Sequence, residues 1–245
     1  MKKLLLNLFL VLGILTLAQN KRFIYEYKFT PDPKNASNIE TEMMFLDTTK
    51  DGSKYYSYTV LNSDSLIKAD IERQMKVNDS AYVKPNLQKG IARYSVTKTY
   101  PDYKVNLHKS IGMYAYKIPE NRKINWKILS EKEKIGEWNA QKAEVDFAGR
   151  HWIAWFSTDI PIQDGPYKFH GLAGLIIKIE DKTGFYQIEL KGIENLNKNI
   201  DINGFEKKQI IVSPKKFHKL LNDQKNRTNN QIKTDSDNIE LDNLK

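Results

Sequence analysis

Gly165-Pro166-Tyr167-Lys168-Phe169-His170-Gly171-Leu172-Ala173-Gly174-Leu175-Ile176 is the stretch whose reading decides the fold. Three glycines and a proline in twelve residues exclude a regular helix or strand, because proline fixes φ and glycine frees it. On both sides of it the pattern is that of strands. Ala143, Val145 and Phe147 alternate with Glu144 and Asp146, Ala148-Gly149 turns the chain, and Trp152, Ala154 and Phe156 then share one face. His151, Ile153 and Trp155 take the other face, so this strand carries apolar bulk on both sides and is expected to be central. After the stretch, Leu175, Ile177 and Ile179 alternate with Lys178 and Glu180. Asp181-Lys182-Thr183-Gly184 makes a turn, and Tyr186, Ile188 and Leu190 resume the alternation. Residues 142–190 therefore read as two β-hairpins joined by a glycine-rich crossover.

A glycine-rich segment can cradle phosphate, but this spacing is not that of a P-loop and no Gly-Lys-Ser or Gly-Lys-Thr follows. A tight turn that packs Leu172 and Leu175 on Trp152 or Trp155 is the simpler reading, with Gly171 and Gly174 standing where a side chain would meet an indole. Arg150, Trp155, Tyr167, Lys168 and Phe169 have the composition of a recognition surface for a ligand or partner, since aromatics and arginine carry most interface energy. The same residues would serve equally as the middle of the core. Arg150 and Lys168 suit an anionic ligand, and salt bridges to Asp146 or Asp164 would explain them as well.

Gly149-Arg150, Ala154-Trp155, Ile160-Pro161, Gly165-Pro166-Tyr167-Lys168-Phe169 and Gly171-Leu172-Ala173-Gly174-Leu175-Ile176 together resemble the signature of the GLPGLI family of exported bacterial proteins. Ala173 stands where the family name has proline, which removes one φ restraint from the turn. The resemblance is dense over residues 142–181 and diffuse from Phe23 onward. It implies export, and it brings no catalytic residues with it, because the family has no established activity.

The N-terminus points to export independently. Lys2 and Lys3 precede an apolar run from Leu4 to Leu17, followed by Ala18 and the polar pair Gln19-Asn20. This is the order of a secretory signal peptide over residues 1–18, cleaved after Ala18. The run falls short of the roughly 20 apolar residues of a membrane span, so no span is expected after cleavage. With no cysteine in the chain, a lipid anchor at cysteine and any disulfide are excluded. The protein is therefore expected in the periplasm or outside the cell, and not as a lipoprotein. The net charge of +9 comes from lysines spread along the chain, which favours a solvated surface over nucleic acid as partner.

The rest of the chain reads as one β-rich domain over residues 19–227, followed by a polar, disordered tail over 228–245. Phe23, Tyr25, Tyr27 and Phe29 alternate in a first strand, as core or as a carbohydrate-stacking platform, with core favoured by the area such rings bury. Strands are expected over 42–47, 55–61, 93–100, 103–107, 114–118 and 125–130, an edge strand over 209–212, and a helix over 65–75. Ser213-Pro214 opens a C-terminal helix with Phe217, Leu220 and Leu221 as its apolar stripe. The fold class is mainly β with a few helices (α+β), a single domain built on a curved antiparallel sheet with strands in a meander and a C-terminal helix.

The histidines His108, His151, His170 and His218 are isolated and lack metal-ligand spacing, so no metal or other cofactor is implied. A zinc site drawn from His151 and His170 with Asp159 or Asp164 would have to assemble in space. Ser157 and Ser213 lack the Gly-x-Ser-x-Gly context of a hydrolase elbow. No catalytic residue is assigned. The leading expectation is a binding or accessory protein of the cell envelope whose concave sheet face meets a lipid, peptide or partner. An exported hydrolase with its site assembled from separate strands, or a structural partner of an outer-membrane complex, are the alternatives.

Overall fold

A computed structural model describes residues 20–31, 37–76, 90–197, 202 and 208–228. The expected signal peptide lies outside the described residues, as does the expected tail apart from Thr228. In chain order the elements are β1 (Lys21–Phe29), β2 (Glu40–Thr49), β3 (Gly52–Ser57), α1 (Tyr58–Lys76), β4 (Tyr94–Thr99), β5 (Val105–Ile111) and β6 (Tyr114–Glu120). There follow β7 (Lys127–Ile135), β8 (Trp138–Phe147), β9 (Arg150–Ser157), β10 (Leu175–Asp181), β11 (Tyr186–Asn195), β12 (Gln209–Ile211) and α2 (Pro214–Thr228).

All strands among the described residues join one sheet in the order β12-β6-β5-β4-β3-β2-β1-β11-β10-β9-β8-β7. The neighbours are antiparallel except β12, which runs parallel to β6. Two meanders thus meet at the β1–β11 ladder, where Phe29 lies opposite Tyr186 and Lys21 opposite Asn195. The expected hairpins are both present, and β9 is an interior strand between β10 and β8.

The connection between β6 and β7 dictates the shape. It has only residues 121–126 between two strands near opposite edges of the sheet. Seven Cα steps reach roughly 25 Å. Ten interstrand spacings of a flat sheet would need roughly 48 Å. The sheet must therefore curl until its ends approach, and the inward face becomes concave. Phe23, Tyr25, Tyr27 and Phe29 line that face at no more than 1% exposure, which makes the first aromatic stripe core and not a surface platform. The crossover, residues 158–174, fills the rest of the concavity with Tyr167, Phe169 and Leu172.

Two expectations about local structure change. Residues 58–61 are helical and not strand, because α1 starts at Tyr58: the backbone N–H of Val60 donates to Ser57 Oγ at 3.0 Å, a serine N-cap. Ser213 caps α2 in the same way, with Lys216 N donating to its Oγ at 3.3 Å, and Phe217 and Leu221 are buried as expected. The glycines of the crossover are not there for an indole. A Cβ on Gly174 would lie 2.0 Å from the carbonyl oxygen of Ser157, whereas Gly171 faces open space and is needed for its φ of +91°.

These two glycines separate by experiment. Gly174→Ala, which must displace backbone, should cost about 3 kcal/mol or more. Gly171→Ala should cost about 1 to 2 kcal/mol for the left-handed conformation alone. Thermal melting of both variants checks the order, and equal melting temperatures would show that the approach of Gly174 to β9 is not a packing constraint.

Candidate functional site

A loop that fills the inside of a curled sheet carries peptide carbonyls into a region without water, and each needs a donor. Lys98 supplies them. Tyr94, Val96 and Lys98 alternate inward along β4, and the Lys98 side chain is fully buried. Its Nζ donates to the carbonyl oxygens of Gly165 (2.6 Å), Tyr167 (3.0 Å) and Phe169 (3.2 Å) and forms an ion pair with Asp164 Oδ1 at 2.6 Å. Burial lowers the ammonium's pKa and Asp164 opposes that. Asp164 Oδ1 also accepts the N–H of Gly165 at 2.7 Å, and its other oxygen accepts the hydroxyl of Tyr100, whose pKa is raised by burial and by that carboxylate.

A second ion pair points the opposite way. Lys168, on the crossover, reaches Glu120 at the end of β6 with Nζ to Oε2 at 3.1 Å. Arg122 donates to the same carboxylate from its backbone N (3.0 Å), Nε (2.8 Å) and Nη2. Burial raises the Glu120 pKa, but the Arg122 hydrogen bonds and the Lys168 charge outweigh it and hold the group at about 2. Burial pushes Lys168 down to about 8 against the pull of Glu120.

Where the crossover leaves the interior, an aromatic rim forms. The imidazole of His170 stacks on Tyr103 with centroids 4.7 Å apart and planes 4° from parallel. Tyr103 in turn lies 5.1 Å from Tyr100. Trp126, from the short β6–β7 connection, donates Nε1–H to the His170 carbonyl at 2.8 Å and leans on Phe169. Tyr100, Tyr103, Trp126 and His170 are all half-buried. Burial, reinforced by the charge of Lys98, lowers His170 to about 4, so the ring is neutral near pH 7. Tyr103 has a φ of 47°, a left-handed conformation that a bulky residue keeps only when its surroundings hold it there.

The five residues expected to make one recognition surface are divided by the sheet. Phe169 is fully buried against Trp152 (4.9 Å between centroids) and Phe147 (5.7 Å), and Tyr167 packs edge-on against Tyr94. Lys168 is interior as well. Trp155 is half-buried on the outer face, between the register partners Lys142 and Lys178. Arg150 pairs with Asp181 at 3.1 Å and sits over the Tyr186 ring. Along β9 the alternation is the reason: Arg150 and Trp155 have opposite parity and cannot face the same ligand.

The histidines do not converge either. His151 is bound to Asp146 at 2.8 Å on the outer face, opposite in strand parity to Trp152, while His170 lies at the rim. His218 is on α2 beside Asn222. Among the described residues no group of three His, Asp or Glu side chains is placed to hold a metal ion. The Ser157 hydroxyl donates to the Asn139 carbonyl at 2.7 Å, a structural use. The residues not singled out from the sequence, Lys98, Tyr100, Tyr103, Glu120 and Trp126, come from other elements. One signal did exist: a lysine at the inward register of an otherwise apolar strand.

Two predictions follow from the buried charges. Lys98→Met leaves Asp164 without its counter-charge and three carbonyls without this donor, and it should lower the unfolding free energy by about 3 to 5 kcal/mol, measured by urea titration. Unchanged stability would mean that the crossover does not depend on this ammonium. His108, lowered to about 4 by burial, and His170 are both neutral in the folded chain, so the unfolded chain binds their protons first as pH falls. Stability should therefore drop between about pH 6.5 and 4, by on the order of 2 to 3 kcal/mol per ring, with a further loss from Glu120 between about pH 4.5 and 2. A flat urea midpoint from pH 7 to 4 would contradict it.

Residues 107–178 match a family model described as "Protein of unknown function (Porph_ging)". No curated protein matches the chain. Among solved structures, PNGF-II in its P21 crystal form superposes with a TM-score of 0.59 at 15% identity, covering 85% of this chain and 34% of that one. Its C2 form gives 0.52 at 18% identity, covering 80% and 31%. The chain thus spans about a third of the length of the solved chains it matches, and at these identities the likeness is one of fold.

Proposed function

We propose that the chain is an exported binding or accessory protein of the cell envelope, and that its partner meets it at the rim of Tyr103, Trp126 and His170. The observation that carries this reading is the fate of the ionisable groups around the crossover. Lys98 and Tyr100 are engaged with Asp164, and Lys168 and Arg122 with Glu120, whereas the rim rings stay partly exposed on a rigid support. Pre-positioned aromatic faces with little conformational entropy left to lose are suited to recognition. The concave face is filled by the chain's own crossover, so the reading moves the partner from that face to its rim. The pattern of residues 2–18 supports export, and the GLPGLI resemblance overlaps the matched family model over residues 142–178, which we take as one family.

The test is site-specific photocrosslinking in cells that export the protein. A photoreactive residue at Tyr103 should give a discrete adduct that the same residue at Lys178, on the outer face, does not. His170→Ala should weaken the adduct while leaving the melting temperature within about 2 °C, and mature protein should begin at Gln19. Turnover of a peptide, ester or glycan substrate that is lost in His170→Ala would replace the binding reading with a hydrolase.

A further inference from the structure

The two outermost strands of the described sheet are built differently. β7 carries Lys127, Glu131, Lys132, Glu133 and Lys134, and a bulge between Ile128 and Lys132 interrupts its ladder. Charged side chains and bulges keep an exposed edge from recruiting another strand. β12, at the other end, has neither. Its Ile210 and Ile211 are 45% and 70% exposed, and the tip of the β5–β6 hairpin beside it carries Met113 at 85% and Tyr114 at 62%.

β12 is also held firmly. Its Gln209 Oε1 lies 2.8 Å from His108 Nδ1, and His108 Nε2 lies 2.8 Å from Thr97 Oγ1, so a neutral imidazole ties the edge strand to β4 across β5. The chain runs directly into α2, whose Phe217 packs on Tyr116. Val212 N donates to the Lys117 carbonyl at 3.1 Å, and Ile210 lies opposite Tyr116. Successive residues of a strand address alternate sides, so the N–H and C=O of Ile211 point away from β6 to the edge that is open among the described residues.

We propose that this edge accepts one further β-strand from a partner: an extended segment with an apolar centre and acidic flanks. The open backbone groups of Ile211 ask for a strand, and Ile211 with Met113 and Tyr114 asks for apolar side chains on it. Exposed lysines bracket the edge, Lys208 before it and Lys215 and Lys216 after it, which selects acidic flanks. A second copy of this chain fits poorly. It would bring like-charged brackets together, and three strand residues with a hairpin tip fall far short of the roughly 20 to 30 residues a side of a stable dimer.

The probe is a fluorescein-labelled peptide, Asp-Asp-Val-Thr-Val-Thr-Val-Asp-Asp, titrated with the purified chain and read by anisotropy, with amide exchange at residue 211 as a second readout. Saturable binding with slowed exchange is expected. Ile211→Pro removes the outward N–H without touching the β6 ladder and should weaken binding at least tenfold. Ile211→Glu, which keeps the backbone and opposes the acidic flanks, should do the same, so the result does not depend on proline being tolerated. Equal binding by the parent and both variants, equal binding of a control peptide with both threonines replaced by proline, absence of saturable binding, or a dimer in sedimentation that buries Ile211 would each overturn the proposal.

Discussion

Six residues between β6 and β7 constrain everything else in this molecule. Because that link cannot cross a flat sheet of twelve strands, the sheet has to roll up, and a rolled sheet presents an inner face that one layer of side chains cannot fill. The seventeen-residue connection between β9 and β10 supplies the missing material. It is glycine-rich for two reasons: Gly174 passes against the backbone of β9, and Gly171 turns in a conformation that a side chain resists.

Filling a core with loop rather than with helix or strand creates a hydrogen-bonding debt, since an irregular backbone cannot satisfy its own carbonyls. One ammonium answers three of them together with a carboxylate, in the manner of a bound cation. Isolated burial of a lysine would cost several kcal/mol, and Asp164 with the carbonyl dipoles offsets it only in this geometry. The arrangement therefore specifies one seat for the crossover. Lys168 repeats the logic in reverse, as a cation on the loop that reaches an anion on the wall, so that the crossover is fastened to two different strands, β4 through Lys98 and β6 through Glu120.

What was legible in the sequence was whatever is local. The stripe from Phe23 to Phe29, the two hairpins around the crossover and the Ser213-Pro214 helix start could be read because period-2 alternation and caps are carried by adjacent residues. The meeting of β1 with β11, the parallel docking of β12 and the Lys98–Asp164 pair join residues far apart in the chain, and no local pattern encodes them. The aromatics near the crossover were read as one surface because sequence proximity suggested it. Parity along β9 was readable, but Tyr167, Lys168 and Phe169 lie in a loop, and no alternation announces that such a segment turns inward.

The rolled sheet also explains why its two ends need different treatment. Curling brings both edges near the β6–β7 link, where unprotected strands of one molecule would be drawn to each other or to a neighbour. β7 is long, and its alternating lysines and glutamates and its bulge suit a strand that must stay unpaired. β12 is short, parallel and fixed by His108 and the start of α2, and its outward isoleucines carry no such protection. A fold that guards one edge and leaves the other apolar has a polarity. New strands can be added at β12 without competing with the interior, because the crossover is already fastened by Lys98 of β4 and by its own Lys168.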